Sequence, residues 1–144
     1  LKVSEVEALG VRERNDIPIL IAEDSALLNA LICDSLKKAG YCNIISCENG
    51  KEAWNVIQDC KAKDILDEHV KLVITDIEMP QMDGHHLLKL IREDSATEDI
   101  PVIIFSSLIN DEMRRKGEAL GANVQLTKPE IGNLVREIDA LVLS

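Results

Sequence analysis

Four apolar runs punctuate this chain, and each ends on residues that can do chemistry. Ile17-Pro18-Ile19-Leu20-Ile21-Ala22 leads into Glu23-Asp24, and Leu72-Val73-Ile74-Thr75 leads into Asp76. Val102 to Phe105 leads into Ser106-Ser107, and the shorter stretch Val124 to Thr127 leads into Lys128-Pro129. Continuous apolar runs of this kind predict strands buried on both faces, as parallel sheets require. Strand one is Ile17 to Ala22, strand three Val70 to Asp76, strand four Pro101 to Ser106 and strand five Val124 to Thr127. Ile44-Ile45 anchors a short strand two.

Between the runs the apolar period lengthens to that of a helix. Leu28, Leu31, Ile32, Leu36 and Ala39 share one face of a helix over 25–39, and Gly40 supplies its left-handed C-terminal cap. Asn49 and Glu52 have capping-box spacing, so a second helix should run through Trp54, Val56 and Ile57 to about Leu66. Trp54 reads as a partly buried packing residue, and Phe105 as core. Asp83-Gly84 turns the chain into a third helix with Leu87, Leu88 and Ile91 inward. Asn110 to Leu120, closed by Gly121, is the fourth. Ile131, Leu134, Val135, Ile138, Leu141 and Val142 follow i, i+3, i+4, i+7 spacing, so the chain closes on an amphipathic helix.

Strands and helices in alternation predict an α/β domain, a doubly wound five-stranded parallel sheet over residues 17–144. Residues 1–16 read as a linker or tail, or a short irregular helix. In a parallel sheet the strand ends meet at one edge, and ligands bind there at the switch point of strand order. Glu23, Asp24, Asp76, Ser106 and Lys128 would then line one pocket suited to a divalent cation and a phosphoryl group.

Composition narrows the function classes. The 144 residues suit one domain, and no apolar run approaches the ~20 residues of a membrane span. No signal peptide is visible. The start at Leu1 reads as an excerpt or a processed product, with a partner domain upstream. A net charge of −10 argues against phosphate-backbone binding, which needs clustered Lys and Arg, and favours basic or mixed protein partners. Cys33, Cys42, Cys47 and Cys60 lack metal-ligand spacing and read as reduced, mostly buried thiols of a cytoplasmic protein. His85 and His86 are adjacent, so they point to different sides of a helix and suit no shared metal.

Taken together in this order, Glu23-Asp24, the Asp76 to Gly84 segment, Ser106 and Lys128-Pro129 resemble the receiver domain of two-component response regulators, over about residues 17 to 143. The stretch Phe105 to Gly117 and the tail Lys128 to Val135 are similar to the receiver of CheV-type chemotaxis coupling proteins. The resemblance implies the CheY-like receiver fold with strand order 2-1-3-4-5. It implies that Asp76 accepts a phosphoryl group from a kinase phosphohistidine, with Mg²⁺ as cofactor (Mn²⁺ as a substitute). Asp24 and Asp76 would bind the ion directly, Glu23 through water, and Glu78 through its backbone carbonyl. Ser106 and Lys128 would contact the phosphoryl oxygens. Leu108 and Glu78 sit where the family tunes phosphoryl lifetime, and the Lys128–Pro129 bond is usually cis in the family. The implied partners are a histidine kinase, an N-terminal CheW-like domain and chemoreceptors, with no nucleic acid and no membrane insertion. Such a protein is a phosphoacceptor that assists its own phosphorylation and slow dephosphorylation, not an enzyme with turnover.

Gln125 departs from the pattern, because receivers often carry Tyr or Phe there as a switch residue. Three other readings stay open on the residues. They are a receiver of an unrelated two-component regulator, a non-phosphorylated scaffold, and a haloacid-dehalogenase-like phosphatase, which Asp76-Ile77-Glu78 mimics weakly. A flavodoxin would need a Ser, Thr and Gly-rich loop after strand one, and that loop is acidic here.

Overall fold

The computed structural model describes residues 14–107, 109–128 and 131–143. Five strands, β1 (Ile19–Ala22), β2 (Ile44–Cys47), β3 (Leu72–Thr75), β4 (Val102–Ser106) and β5 (Val124–Thr127), form one parallel sheet in the order β2-β1-β3-β4-β5. Five helices alternate with them: α1 (Ala26–Ala39), α2 (Gly50–Ala62), α3 (Gly84–Glu93), α4 (Asp111–Leu120) and α5 (Ile131–Val142). This is the expected fold, with the expected strand order.

Side chains alternate across the central strands with the period of two that a pleated strand imposes. Leu20, Ala22, Val73, Val102 and Ile104 pack one way, with Ile57 of α2 and Leu87, Leu88 and Ile91 of α3. Ile19, Ile21, Leu72, Ile74, Ile103 and Phe105 pack the other way, with Ile32 and Leu36 of α1 and Leu134 and Ile138 of α5. Phe105 is core and Trp54 packs partly buried, both as expected. The strand runs are apolar throughout because both faces of the sheet are covered.

The local signals for helix ends hold. The side chains of Ser25, Asn49, Asp83 and Asn110 each accept a backbone N–H in the first turn of α1, α2, α3 and α4. Gly40 and Gly121 close α1 and α4 in the left-handed conformation. Glu52 reaches back to the Glu48 N–H at 3.4 Å, one residue before the partner that a capping box uses.

Three expectations need correction. The second helix stops at Ala62 and not near Leu66, because Asp64 turns left-handed with φ 56° and Ile65 N–H closes on the Cys60 carbonyl at 2.9 Å. A single turn, Leu66–His69, then leads into β3. Leu31 does not face the core: it is 44% exposed, Leu27 is 71% exposed, and Asn29 takes the buried position between them. The thiols are all free, but only Cys47 and Cys60 are buried.

Of the segment expected to be a linker, residues 1–13 lie outside the described residues. Arg14 is firmly placed. Its guanidinium grips Asp139 of α5 through Nε at 3.1 Å and Nη2 at 2.6 Å, and Nη1 reaches the Ala39 carbonyl at 2.9 Å. The buried Tyr41 hydroxyl donates to the same carboxylate, and burial, helped by Asp139, pushes its pKa up. This group ties the start of the domain to the ends of α1 and α5.

Candidate functional site

The strand register places the acids. Ala22 pairs with both Cys47 and Thr75, so β1, β2 and β3 end level and the next residue of each enters the same edge. Asp76 N–H continues the ladder to the Ala22 carbonyl at 3.0 Å, and Glu23 N–H reaches the Cys47 carbonyl at 3.0 Å. On the other side Ser106 pairs with Thr127, and Lys128 N–H bonds the Ser106 carbonyl at 2.8 Å.

The side chains converge from there. The Lys128 ammonium, on a side chain 8% exposed, donates to Glu23 Oε1 and to Asp76 Oδ2, the latter at 3.1 Å. Asp76 Oδ1 accepts the Ile77 N–H at 2.7 Å, and Glu23 Oε2 accepts the Ser25 N–H at 3.1 Å. Asp24 is exposed at the mouth. One carboxylate oxygen from each of Glu23, Asp24 and Asp76 lies within 4.8 Å of the others. Burial raises the pKa of Glu23, and the Asp76 charge adds to this, while Lys128 and the Ser25 N–H oppose it.

The loop that carries Asp76 into α3 is pressed against it. Gly84 N–H bonds the Ile77 carbonyl at 2.8 Å, and a Cβ on Gly84 would stand 1.9 Å from the Asp76 carbonyl oxygen. Thr75 Oγ1 donates to that same oxygen at 2.8 Å. Gln81 adopts φ 68° in the turn, and Gly50 N–H anchors the Met82 carbonyl at 3.1 Å.

Three carboxylates against one ammonium leave the cluster with excess negative charge. All its donors are hard oxygens, without sulfur or imidazole, which suits Mg²⁺ or Mn²⁺ better than softer ions. Among the described residues no other group of three acid, His or Cys side chains converges in this way. His85 is buried and His86 exposed, so the two point to different sides of α3 as expected. Glu78 is exposed and lines a separate cleft with Asp83, His85 and Lys116, so its carboxylate is outside the cluster. Ser106 is buried at the edge, whereas Ser107 is exposed. Leu108 and Pro129, expected to tune the site, lie outside the described residues.

Gln125 does not stand free to swing. Its Nε2 donates to the Arg114 carbonyl of α4 at 3.0 Å, and its buried Oε1 has no hydrogen-bond partner. The amide lies over Gly117, where an added Cβ would meet Oε1 at 2.3 Å.

Sequence reasoning missed Asn29. It sits in step with Ile32 and Leu36 on the buried face of α1, and a polar residue on an apolar period was the available signal. Its amide reaches the backbone that carries Glu23.

Comparison with known proteins places this geometry in a family. The response regulator receiver domain matches residues 19–139. The chemotaxis protein CheV3 of Helicobacter pylori is 29% identical over 91% of this chain, which spans only 42% of that protein. The chemotaxis protein CheY1 of the same organism is 30% identical over 87% of this chain and 95% of that protein. The fold is that of chemotaxis protein CheY4 of Vibrio cholerae, with a TM-score of 0.74 at 24% identity over 87% of this chain and 98% of the other. Among the described residues no helix is long and apolar enough to cross a membrane. The chain belongs to the response regulator receiver domain family, whose members are phosphoacceptors of chemotaxis and two-component signalling and not enzymes in the usual sense.

Proposed function

We propose that this receiver takes a phosphoryl group on Asp76 from the phosphohistidine of a histidine kinase, and that the modification switches a protein-binding surface. The observation that carries the reading is the Lys128 ammonium held between Glu23 and Asp76, 3.1 Å from Asp76 Oδ2, beside three carboxylates that converge within 4.8 Å. In this step a carboxylate oxygen of Asp76 attacks phosphorus, a P–O bond forms, and the P–N bond breaks with its electron pair returning to the imidazole. Lys128 meets the charge of the Asp76 carboxylate and of the transferred phosphoryl oxygens. Ser106, at the end of β4, would hydrogen-bond the group once transferred. Glu23, Asp24 and Asp76, with the Glu78 carbonyl, would hold Mg²⁺, with Mn²⁺ as a substitute. That ion supplies charge neutralisation and a template for in-line transfer.

The receiver occupies residues 17–144 with Arg14 bound to its edge, and the residues before Arg14 serve as a linker or tail. The output surface is α4, β5 and α5, biased by the added charge, ~1.5–2 negative charges per phosphoryl group. The resemblance to CheV3 supports a role in CheV-type chemotaxis adaptation in the cytoplasm, with a CheW-like domain upstream and chemoreceptors as further partners. Leu108 offers no hydrogen bond to an attacking water, so the phosphoryl group should be comparatively long-lived, which suits adaptation.

Treatment with acetyl phosphate or beryllofluoride in Mg²⁺, followed by intact mass, tests the assignment. One phosphoryl or beryllofluoride group should appear on the native chain and none on Asp76→Asn. An unchanged adduct on that variant refutes it. Sustained release of phosphate from excess phosphate ester would instead mark a phosphatase.

A further inference from the structure

Asn29 is buried on α1, and every polar atom of its side chain is engaged. Nδ2 donates to the Glu23 carbonyl at 3.2 Å and to the Cys47 carbonyl at 3.3 Å. Oδ1 accepts the Ser46 hydroxyl, and also the Cys33 thiol at 3.4 Å. Donors meet acceptors throughout, which fixes the orientation of the amide.

The two carbonyls belong to the level ends of β1 and β2. The Cys47 carbonyl already accepts the Glu23 N–H at 3.0 Å. The Glu23 residue is therefore held at both ends, its N–H by Cys47 and its C=O by Asn29. A backbone pinned in this way has little freedom to redirect its side chain. The carboxylate must face Lys128 and the Asp24–Asp76 pair, where Ser25 N–H and the ammonium receive it. The Cys47 carbonyl thus accepts twice, from the Glu23 N–H and from the Asn29 amide, and ties the two together. None of this contact is visible from spacing, because Asn29 is six residues from Glu23 and eighteen from Cys47.

We infer that Asn29 is a positioning residue for the divalent cation: it sets the Glu23 backbone, and through it the acid cluster, in the geometry the ion needs. The inference rests on the phosphoacceptor reading above and goes beyond it in naming a residue outside the cluster. The Glu23 carbonyl belongs to the peptide that leads into Asp24, a direct ligand in the proposed set, and groups that orient such ligands typically change metal affinity by about 10–100-fold when removed. Ser46 acts one step further out, by holding the amide of Asn29.

The test is Mg²⁺ titration of the folded protein by calorimetry, with the Mg²⁺ dependence of phosphorylation by acetyl phosphate followed in parallel. Asn29→Ala should weaken Mg²⁺ binding about tenfold or more. The rate of phosphorylation at saturating Mg²⁺ should stay within about twofold, because the reacting carboxylate and Lys128 are untouched. Ser46→Ala, on an exposed residue at the edge strand, should shift affinity in the same direction by a smaller factor and guards against a folding defect in the first variant. Native Mg²⁺ affinity in both variants overturns the inference. So does an equal loss of affinity and of saturated rate, which would assign Asn29 to general packing. If the unaltered chain binds no Mg²⁺, the metal-site reading itself fails and takes this inference with it.

Discussion

The backbone of Gly84 lies so close to Asp76 that a single methyl group between them would overlap, since a Cβ on Gly84 would stand 1.9 Å from the Asp76 carbonyl oxygen. The first turn of α3 is thus packed directly on the residue that ends β3. The Thr75 hydroxyl donates to that carbonyl at 2.8 Å and holds it in place.

Gly84→Ala should therefore cost about 1–3 kcal/mol or more, the range of overpacking where the obstacle is backbone. It should also impair beryllofluoride binding beyond the loss of stability. Denaturant unfolding and adduct formation at a temperature where the variant is folded check both. A variant with native stability would show that α3 can slide away from Asp76.

Lys128 faces two buried carboxylates, so its removal leaves both without a cation. Lys128→Met should destabilise the metal-free protein by up to about 3–5 kcal/mol, the usual cost of orphaning a buried charge. Added Mg²⁺ should return a larger share of stability to the variant than to the native chain. The Glu23 pKa is raised, so its contribution is present at low pH and lost as pH climbs through the raised value. Acidification should therefore narrow the deficit. Denaturant midpoints with and without Mg²⁺, across mildly acidic to alkaline pH, measure this.

His85 is buried with Nε2 unpartnered, and burial, then Lys116, lower its pKa, while Asp83 opposes them. The unfolded chain binds the proton more readily, so stability is full above the ordinary value of about 6.5 and falls as pH drops toward the lowered one. His85→Leu should flatten the decline below about pH 6.5. An equal slope in the variant would assign the acid sensitivity to other groups.

Gln125 and Gly117 form a matched pair, one side chain filling the space the other lacks. Gly117→Ala should cost at most about 1 kcal/mol net, since it drives out the flexible Gln125 amide against the roughly 1 kcal/mol that Ala gains over Gly in a helix. Gln125→Ala together with Gly117→Ala should recover much of that, giving a coupling of about 1 kcal/mol or more in a double-mutant cycle. Additive effects would show that the two positions do not interact. Gln125→Leu should leave stability level or raise it by about 1 kcal/mol, since it removes a buried acceptor with no donor.

Much of this molecule is written along the chain itself. The continuous apolar runs Ile19 to Ala22 and Leu72 to Thr75, and the caps at Ser25, Asn49, Asp83 and Asn110, act through neighbouring residues and the backbone. Local forces of that kind need no distant partner, so they can be read in order. Parallel pairing then brings the carboxyl ends of the strands to one edge, and the acids, Ser106 and Lys128 come with them. Tertiary structure alone decided the rest. Whether Leu31 or Asn29 faces inward depends on what α1 packs against: two backbone carbonyls receive the amide, and Leu31 is left to solvent. The Arg14–Asp139 pair joins residues 125 apart, and Lys128 meets Glu23 across 105, distances at which periodicity carries no information. Asp64 ends α2 early because a left-handed turn lets Ile65 bond Cys60, a choice that its residue type permits without requiring. Gln125 reads as a missing switch in one dimension and as a brace in three, because the bare backbone of Gly117 gives its amide a place to lie.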